Sequence, residues 1–282
     1  MFDDTSVVAV GLADVRREPD AASELVTQAL MNVPVIAGET CNDWTHVTLS
    51  DYEGWMRSEQ LESPIVPSFT QVSNCCRSPL HLVALVSVTH APLYADATGE
   101  ETTGEVYLST ALPVLDTSHD ERVLVALPGE QEAWLVRSAL ALRPPELSEG
   151  IYARQSVSVV TGYARQFLGV PYLWGGTSWK GIDCSGLVQL CYRMGGYILP
   201  RDADQQHDFL THSVSREGMR EGDLVFFGSK AITHVALALN DHEYIHAAGS
   251  YNRVVISSFN PRDEHYYPRL DEIVWGIKRV VV

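Results

Sequence analysis

The sequence predicts an α+β domain at its C-terminal end, preceded by two small all-β barrels. Three features lead to this fold class. Short strand-like segments alternate with turn residues over residues 1–145, a pattern typical of small barrels and sandwiches. A linker-like stretch rich in proline and glutamate follows at residues 143–150. Beyond it, helical periodicity comes first and strand-like runs come afterwards, which indicates an α+β domain.

The all-β region repeats one rough plan twice. Each half closes on a strand with a tryptophan, Trp55 in the first and Trp134 in the second. Two barrels of about 60–70 residues explain this repetition better than one large sandwich. We therefore expect domains at residues 1–63, 64–145 and 150–282. The strand candidates are 7–12, 33–37, 44–49 and 54–57 in the first half, and 82–88, 105–108, 112–115, 122–126 and 133–136 in the second.

The C-terminal domain is predicted to place its helices ahead of its sheet. Apolar residues recur at helical spacing between residues 156 and 168, and a loop rich in glycine follows at 169–181. A second helix should begin at Cys184, and a short third one should span 202–210 with Asp202 as its cap. The strand candidates then follow at 222–227, 234–239, 243–247, 253–259 and 273–281.

The charge of the chain restricts its partners. It carries 36 acidic and 20 basic residues, a formal net charge of −16. Nucleic-acid binding depends on basic patches that release counterions, so we expect no nucleic-acid partner. The same charge argues against electrostatic attachment to anionic membranes or walls.

The N-terminal residues lack the basic and apolar regions of a secretory signal. No apolar run reaches the ~18 residues of a membrane span. We expect a cytoplasmic monomer that does not bind membranes. The alternative is that a leader segment has been trimmed away.

The cysteines do not indicate a disulfide framework or a metal site. Their number is odd and their spacing irregular. The vicinal pair Cys75 and Cys76 has no second Cys or His pair at zinc spacing, so we expect no metal and no cofactor. Cys191, seven residues after Cys184, is expected to be a buried apolar residue.

The stretch 183–186, Asp-Cys-Ser-Gly, carries the strongest chemical signal. It places Cys184 in the first turn of a helix, where backbone N–H groups and the helix dipole favour the thiolate. Two histidines, His234 and His246, follow on strand-like segments. A cysteine followed by two spaced histidines is the order of a papain-like nucleophile, base and orienting group.

Five segments in order resemble the NlpC/P60 family of cysteine peptidases. The resemblance implies that Cys184 is the nucleophile, His234 the base, His246 the third polar member and Tyr172 a donor to the oxyanion. It also implies a papain-like fold for this domain. The segments are 171–176, 181–187, 200–205, 222–227 and 234–237.

The N-terminal half resembles bacterial SH3-like domains. The first unit does so through residues 43–47 and 51–56, and the second more weakly through 104–107 and 133–135. Two such units ahead of the catalytic domain resemble the dipeptidyl-peptidase VI-like γ-D-glutamyl-L-diamino acid endopeptidases. That resemblance implies cleavage between γ-D-Glu and the diamino acid of murein stem peptides with a free N-terminal L-Ala, during cell-wall peptide recycling.

The resemblance also implies a substrate pocket. A buried ammonium needs a carboxylate partner, so we expect Asp202 to bind the amino group of L-Ala. Asp183 is a candidate contact or simply a helix cap, and Ala203 stands where the family frequently has serine. Each candidate has a plain structural alternative, as a cap or a packing residue. The substrate-binding candidates are Asp202, Ser185, Trp174 and Asp183, together with Glu24 and Tyr52 from the first SH3-like unit.

Two other functions stay open. The SH3-like units could bind peptidoglycan in a wall-binding or wall-remodelling protein whose catalytic domain is incidental. The catalytic domain could also be another papain-like amidase or acyltransferase. The sequence does not identify the diamino acid or the role of the second unit.

Overall fold

A computed structural model of the chain describes residues 5–65, 82–144 and 151–281. The chain divides into two units, residues 1–151 and 152–282. The expected boundary between residues 63 and 64 stays a prediction. The pair Cys75 and Cys76 and the expected domain start at residue 150 lie outside the described residues.

The first part of the N-terminal unit is a seven-stranded antiparallel sheet. Its buried apolar side chains come from alternating strand positions, such as Ala13 and Val15, which is the spacing of a sheet with one face on a core. The strands are β1 (Thr5–Val8), β2 (Leu12–Arg16), β3 (Leu25–Leu30), β4 (Pro34–Cys41), β5 (Trp44–Thr48), β6 (Glu53–Arg57) and β7 (Leu61–Glu62). They lie in the order β3-β2-β6-β5-β4-β1-β7.

The second part is another seven-stranded antiparallel sheet with the same strand order. Its strands are β8 (Val83–Val86), β9 (His90–Tyr94), β10 (Thr102–Tyr107), β11 (Ala111–Asp116), β12 (Arg122–Leu127), β13 (Gln131–Val136) and β14 (Leu140–Arg143). Their order is β10-β9-β13-β12-β11-β8-β14, which matches the first sheet strand for strand. The internal repetition in the sequence therefore corresponds to two sheets of one topology.

Several strand predictions for this unit were wrong or incomplete. The single strand expected at 7–12 is two strands, β1 and β2, because residues 9–11 form a connecting turn. Strand β3 was missed because Thr27 is buried among the apolar residues and breaks the expected alternation. Strands β7, β9 and β14 were also missed.

The turn at residues 9–11 joins the two sheets. A Cβ atom on Gly11 would lie 2.1 Å from the backbone oxygen of Glu105, so only glycine fits this approach. Nearby, Asn32 donates a hydrogen bond from Nδ2 to the backbone oxygen of Ala111 at 2.9 Å. Met31 packs into the core of the second sheet. The two sheets therefore share one packed contact.

The C-terminal unit contains four α-helices and a six-stranded antiparallel sheet among its described residues. The helices are α1 (Val157–Gln166), α2 (Cys184–Met194), α3 (Ala203–Phe209) and α4 (Pro268–Glu272). A short hairpin, β15 (Thr177–Ser178) with β16 (Gly181–Ile182), precedes α2. The sheet has the order β17-β22-β18-β19-β20-β21, from β17 (His212–Val214), β18 (Leu224–Phe227), β19 (His234–Ala238), β20 (Glu243–Ala248), β21 (Arg253–Ser258) and β22 (Val274–Arg279).

Helix α2 is central to this unit. All of its residues except Arg193 are buried, and it packs against α1, β19 and β20. The predicted helices α1, α2 and α3 are confirmed to within a few residues, whereas α4, β17 and the β15–β16 hairpin were not predicted. Among the described residues, no helix is long and apolar enough to span a bilayer.

We predict that Gly11→Ala destabilises the N-terminal unit by about 1–3 kcal/mol, because the new methyl group forces two backbones apart. Gly104→Ala is the matched control, since a Cβ there meets only a Leu93 methyl at 3.6 Å. Its free energy of unfolding should stay within about 0.5 kcal/mol of the parent value. Urea unfolding monitored by tryptophan fluorescence measures both, and equal stability of the two variants would contradict the close contact.

Candidate active site

Cys184 opens helix α2, as the sequence predicts. The preceding residue, Asp183, caps the helix by accepting a hydrogen bond from the backbone N–H of Gly186 at 2.7 Å. It also accepts the N–H of Gly175 at 2.9 Å. Gly175 has a φ of 75°, a conformation that glycine adopts readily. The glycine turn thus directs a backbone donor at the same carboxylate that starts the helix.

The Asp183 carboxylate forms a buried ion pair with Arg201. The guanidinium nitrogens Nη1 and Nη2 lie 3.0 and 2.6 Å from the two carboxylate oxygens, and the Arg201 side chain is 2% exposed. Ser185 donates its hydroxyl to Asp183 at 3.3 Å and accepts from Arg201 at 2.9 Å. Both oxygens of the carboxylate are therefore fully hydrogen-bonded, as a buried charge requires.

Sequence reasoning did not single out Arg201. It lies within one of the matched segments, 200–205, beside Asp202. Buried carboxylates are paired, so an aspartate that caps a buried helix indicates a cation close to it in the fold. The distance of eighteen residues between the partners explains why spacing alone did not reveal the pair.

The Cys184 thiol lies against strand β19. The backbone N–H of Val235, the residue that follows His234, and the backbone N–H of Ser185 both act to lower the pKa of this thiol. The residue as a whole is only 8% exposed. The nucleophile candidate Cys184 and the base candidate His234 thus lie at the starts of two elements, α2 and β19, that pack against each other.

A chain of hydrogen bonds leads away from His234 into the protein. Its Nε2 lies 2.8 Å from Nδ1 of His246, and Nε2 of His246 lies 3.1 Å from Oγ of Ser257. Since Nε2 of His234 is engaged, Nδ1 is the nitrogen left to exchange a proton with a thiol. The expected contact between the two histidines is therefore present, and Ser257 is an addition that the sequence did not indicate.

Burial decides the charge states of this group. It raises the pKa of the Cys184 thiol to about 12, and the charge of Asp183 adds to that effect. Burial lowers the pKa of His234 to about 4, although the charge of Asp183 acts to raise it. Burial also lowers the pKa of His246 well below its usual value. The expectation that the helix end favours the thiolate is wrong for the resting site, because desolvation outweighs the backbone donors. Burial therefore disfavours both charged forms, the thiolate of Cys184 and the imidazolium of His234.

Tyr172 interacts electrostatically with Cys184 and Asp183. Burial raises the pKa of its phenol, and these two neighbours raise it further. The hydroxyl therefore keeps its proton across the ordinary pH range. Its ring also approaches Gly249, where a Cβ would lie 3.7 Å from a ring carbon. A protonated, half-buried phenol beside the sulfur can donate a hydrogen bond to a developing oxyanion.

The remaining substrate-binding candidates are Trp174, Asp202, Glu24 and Tyr52. Trp174 is 60% exposed on the glycine loop. Asp202 precedes α3 at the expected N-cap position, but its side chain makes no capping hydrogen bond. In the N-terminal unit, Glu24 accepts a hydrogen bond from Arg17 at 2.7 Å, and Tyr52 packs against the core of the first sheet. A direct role of these residues in substrate binding stays a prediction.

Within the described residues, no group of three or more His, Cys, Asp or Glu side chains is arranged to hold a metal ion. A thiol at a helix start, an imidazole and a second polar ring behind it are typical of cysteine-dependent hydrolases.

Comparison with known proteins agrees with this class. A model described as the NlpC/P60 family matches residues 169–272, and one described as the bacterial dipeptidyl-peptidase Sh3 domain matches residues 15–61. The chain is 31% identical over 260 residues to a gamma-D-glutamyl-L-lysine dipeptidyl-peptidase of Bacillus cereus, covering 85% of this chain and 72% of that protein. The chain therefore belongs to the NlpC/P60 family of cysteine peptidases, with an SH3 domain ahead of its catalytic domain.

Two further similarities cover almost the whole chain. Dipeptidyl-peptidase 6 of Lysinibacillus sphaericus is 25% identical over 287 residues, which cover 96% of this chain and 98% of that protein. A crystal structure of an NlpC/P60 family protein from Bacillus cereus matches with a TM-score of 0.82 at 25% identity, covering 98% of this chain and 99% of the other.

We predict that Arg201→Met destabilises the C-terminal unit by about 3–5 kcal/mol, because it leaves the Asp183 carboxylate buried without its cation. Arg220→Met, at an exposed position of the same unit, is the control and should stay within about 0.5 kcal/mol of the parent. Chemical denaturation followed by circular dichroism measures both. A loss below about 1 kcal/mol for Arg201→Met would contradict the structural role of the pair.

We predict that kcat/KM for peptide cleavage has an acid limb near pH 4 instead of near 6.5. The base form of His234 is neutral, and its pKa of about 4 keeps it neutral until the pH falls that far. Because this pKa is below the unfolded value, the folded state also loses stability as pH falls from about 6.5 toward 4. Circular dichroism at each pH separates unfolding from titration, and half-maximal kcat/KM at pH 6.5 with the fold intact would contradict the assignment.

Proposed function

We propose that this protein cleaves the bond between γ-D-Glu and the diamino acid in murein stem peptides that carry a free N-terminal L-Ala. The observation that carries the proposal is the hydrogen bond of 2.8 Å between Nε2 of His234 and Nδ1 of His246, on a sheet against which the helix that begins with Cys184 packs. Relatives named gamma-D-glutamyl-L-lysine dipeptidyl-peptidase in two Bacillus species support the substrate class.

In this proposal, Sγ of Cys184 attacks the γ-carbonyl carbon of D-Glu while its proton passes to Nδ1 of His234. The hydroxyl of Tyr172 donates to the oxyanion that forms. His234 then gives the proton to the leaving amine of the diamino acid, and a thioester remains on the sulfur. Water, deprotonated by the same imidazole, attacks the thioester and releases the L-Ala-γ-D-Glu dipeptide with the thiol restored.

The neutral resting pair suits this sequence of steps. Because the pKa of the thiol is raised and that of the imidazole is lowered, the proton crosses only as the carbonyl is attacked. His246 accepts the N–H of His234 Nε2 and so presents the lone pair of Nδ1 to the sulfur. A neutral second histidine orients the base without adding a negative charge to a site that already contains Asp183.

We assign recognition of the L-Ala ammonium to Asp202, with Trp174 forming an exposed apolar wall. Asp183 and Ser185 are already engaged with Arg201, which supports the alternative that they cap and hold α2. Direct contact of these two residues with the substrate stays a prediction.

We propose Glu24 and Tyr52 of the SH3 domain as further substrate contacts. The charge of Glu24 is partly compensated by Arg17, with 2.7 Å between the two side chains. Glu24, and to a smaller extent Tyr52, raise the pKa of the Arg17 guanidinium. These three side chains therefore form one neighbourhood, which supports treating Glu24 and Tyr52 together.

We further propose that both seven-stranded sheets are SH3-like barrels and that the C-terminal domain is papain-like. The identical strand order of the two sheets supports the first statement. The second is supported by the nucleophile helix α2, which packs against strand β19 and so brings Cys184 beside His234.

We propose that the protein is a cytoplasmic, monomeric enzyme of cell-wall peptide recycling. Among the described cysteines, Cys41, Cys184 and Cys191 are all free, which suits a reducing compartment. The net charge of −16 disfavours attachment to anionic walls, membranes or nucleic acid. A small peptide released from the wall fits these conditions better than the intact sacculus.

We predict that the enzyme releases L-Ala-γ-D-Glu from tripeptides ending in L-Lys or meso-diaminopimelate, detected by mass spectrometry. Cys184→Ala should lower kcat on the order of 10⁴-fold or more, because the covalent step is lost. Cys191→Ala is the matched control: it removes a buried thiol from the same helix and should retain most of the activity.

N-acetylation of L-Ala should slow cleavage by at least about 100-fold, since it removes the charge that pairs with Asp202.

Three outcomes would contradict the proposal. Cleavage by Cys184→Ala near the parent rate would rule out this nucleophile. Equal cleavage of acetylated and free tripeptides would rule out recognition of the free amine. Tight retention on purified sacculi with no cleavage of any tripeptide would favour a wall-binding protein, and turnover of other amides alone would favour an amidase or acyltransferase.

A further inference from the structure

A buried serine ends the hydrogen-bond chain behind the base. Oγ of Ser257, on strand β21, lies 3.1 Å from Nε2 of His246. Both residues are 1% exposed. Among the described residues, no other side chain lies within hydrogen-bond distance of that nitrogen. The second ring nitrogen of His246 is already engaged with His234.

This arrangement admits two opposite directions of donation. In the first, His234 donates its Nε2–H to Nδ1 of His246, and His246 donates its Nε2–H to Ser257. In the second, Ser257 donates to His246, and His246 donates through Nδ1–H to Nε2 of His234. A neutral imidazole carries one proton, so in the second direction the proton of His234 sits on Nδ1, the nitrogen that has to accept the thiol proton. Only the first direction leaves His234 able to act as a base.

We propose that Ser257 is a positioning residue that accepts the Nε2–H of His246 and thereby fixes the tautomers of both histidines. The proposal deepens the proposed function, because it rests on the roles given there to Cys184 and His234. Ser257 touches neither the sulfur nor the substrate and acts only through the two rings.

The surroundings of His246 show why Ser257 is needed as the acceptor of its Nε2–H. The ring of Tyr244 lies 5.2 Å from the His246 ring, centre to centre, and its buried hydroxyl has no hydrogen-bond partner among the described residues. Without Ser257, the Nε2–H would lose the one acceptor that it has among the described residues. A buried donor that loses its acceptor is costly, so the pair would shift toward the tautomer that disables His234.

The neighbouring serine provides a matched control. Ser258 is also buried and lies on the same strand, but its hydroxyl donates to Asp263 at 2.6 Å and accepts the backbone N–H of Asn260 at 2.9 Å. It makes no contact with His246. Removing its hydroxyl alters the packing of the same strand without touching the histidine chain.

The experiment combines kinetics with nitrogen NMR on the full chain. In the ¹⁵N-labelled parent, Nε2 of His246 should give the signal of a protonated nitrogen and Nδ1 that of an unprotonated one. Ser257→Ala should lower kcat by about tenfold or more, the size of a lost hydrogen bond in the transition state, while KM stays constant. Ser258→Ala should keep the parent kcat, and Ser257→Thr should recover most of the loss.

A substrate-independent readout separates this proposal from the peptide assignment. Alkylation of Cys184 by iodoacetamide, measured peptide by peptide with mass spectrometry, should slow in Ser257→Ala by a similar factor. The exposed Cys41 in the same sample should react at an unchanged rate. Slowed alkylation with no cleavage of tripeptides would uphold the role of Ser257 and contradict only the substrate.

The opposite tautomer of His246 in the parent protein would overturn the proposal, and this result requires no variant to fold. Parent-like kcat and alkylation in Ser257→Ala would overturn it as well. So would a loss of activity in Ser257→Ala with unchanged tautomer signals, because the serine would then contribute to packing alone.

Discussion

The carboxylate of Asp183 is the point on which the catalytic domain depends. It caps the helix that begins with Cys184, accepts a backbone N–H from the glycine loop and pairs with the buried Arg201. One group therefore fixes the start of the helix, the loop before it and the segment that leads into α3. A carboxylate in this position also carries a charge close to the sulfur, and Arg201 neutralises it. Without the cation, the helix start and the nucleophile would lie beside an unpaired buried charge.

The burial of these residues also explains the resting state of the site. Two backbone N–H groups and the helix dipole act in favour of a thiolate at Cys184. Burial acts against it, and burial also keeps His234 and His246 neutral. In the proposed mechanism, the proton of Cys184 passes to His234 as the substrate carbonyl is attacked. That mechanism requires one tautomer of His234, which gives the hydrogen bonds to His246 and Ser257 their proposed role.

Sequence patterns identified the candidate reacting groups because the signals for them lie in short segments. Cys184 at a helix start and the order of the histidines are visible in short segments, and the structure confirms the helix start and the contact between the two histidine rings. Arg201 and Ser257 escaped because neither stands in a local pattern of its own, and only the fold brings each to its partner. The direction of the pKa changes escaped for a related reason, since desolvation depends on the whole fold and not on the helix alone. The strand expected at 7–12 failed where contact between two sheets required a turn at Gly11.

The most direct test of this account is the ultraviolet absorbance of the thiolate at neutral pH, taken as the difference between the parent protein and Cys184→Ala. The account predicts no difference, because a buried thiol beside a neutral imidazole keeps its proton. Extra absorbance equivalent to one thiolate in the parent protein would show a resting ion pair, and would contradict the claim that burial sets the charge state of this site.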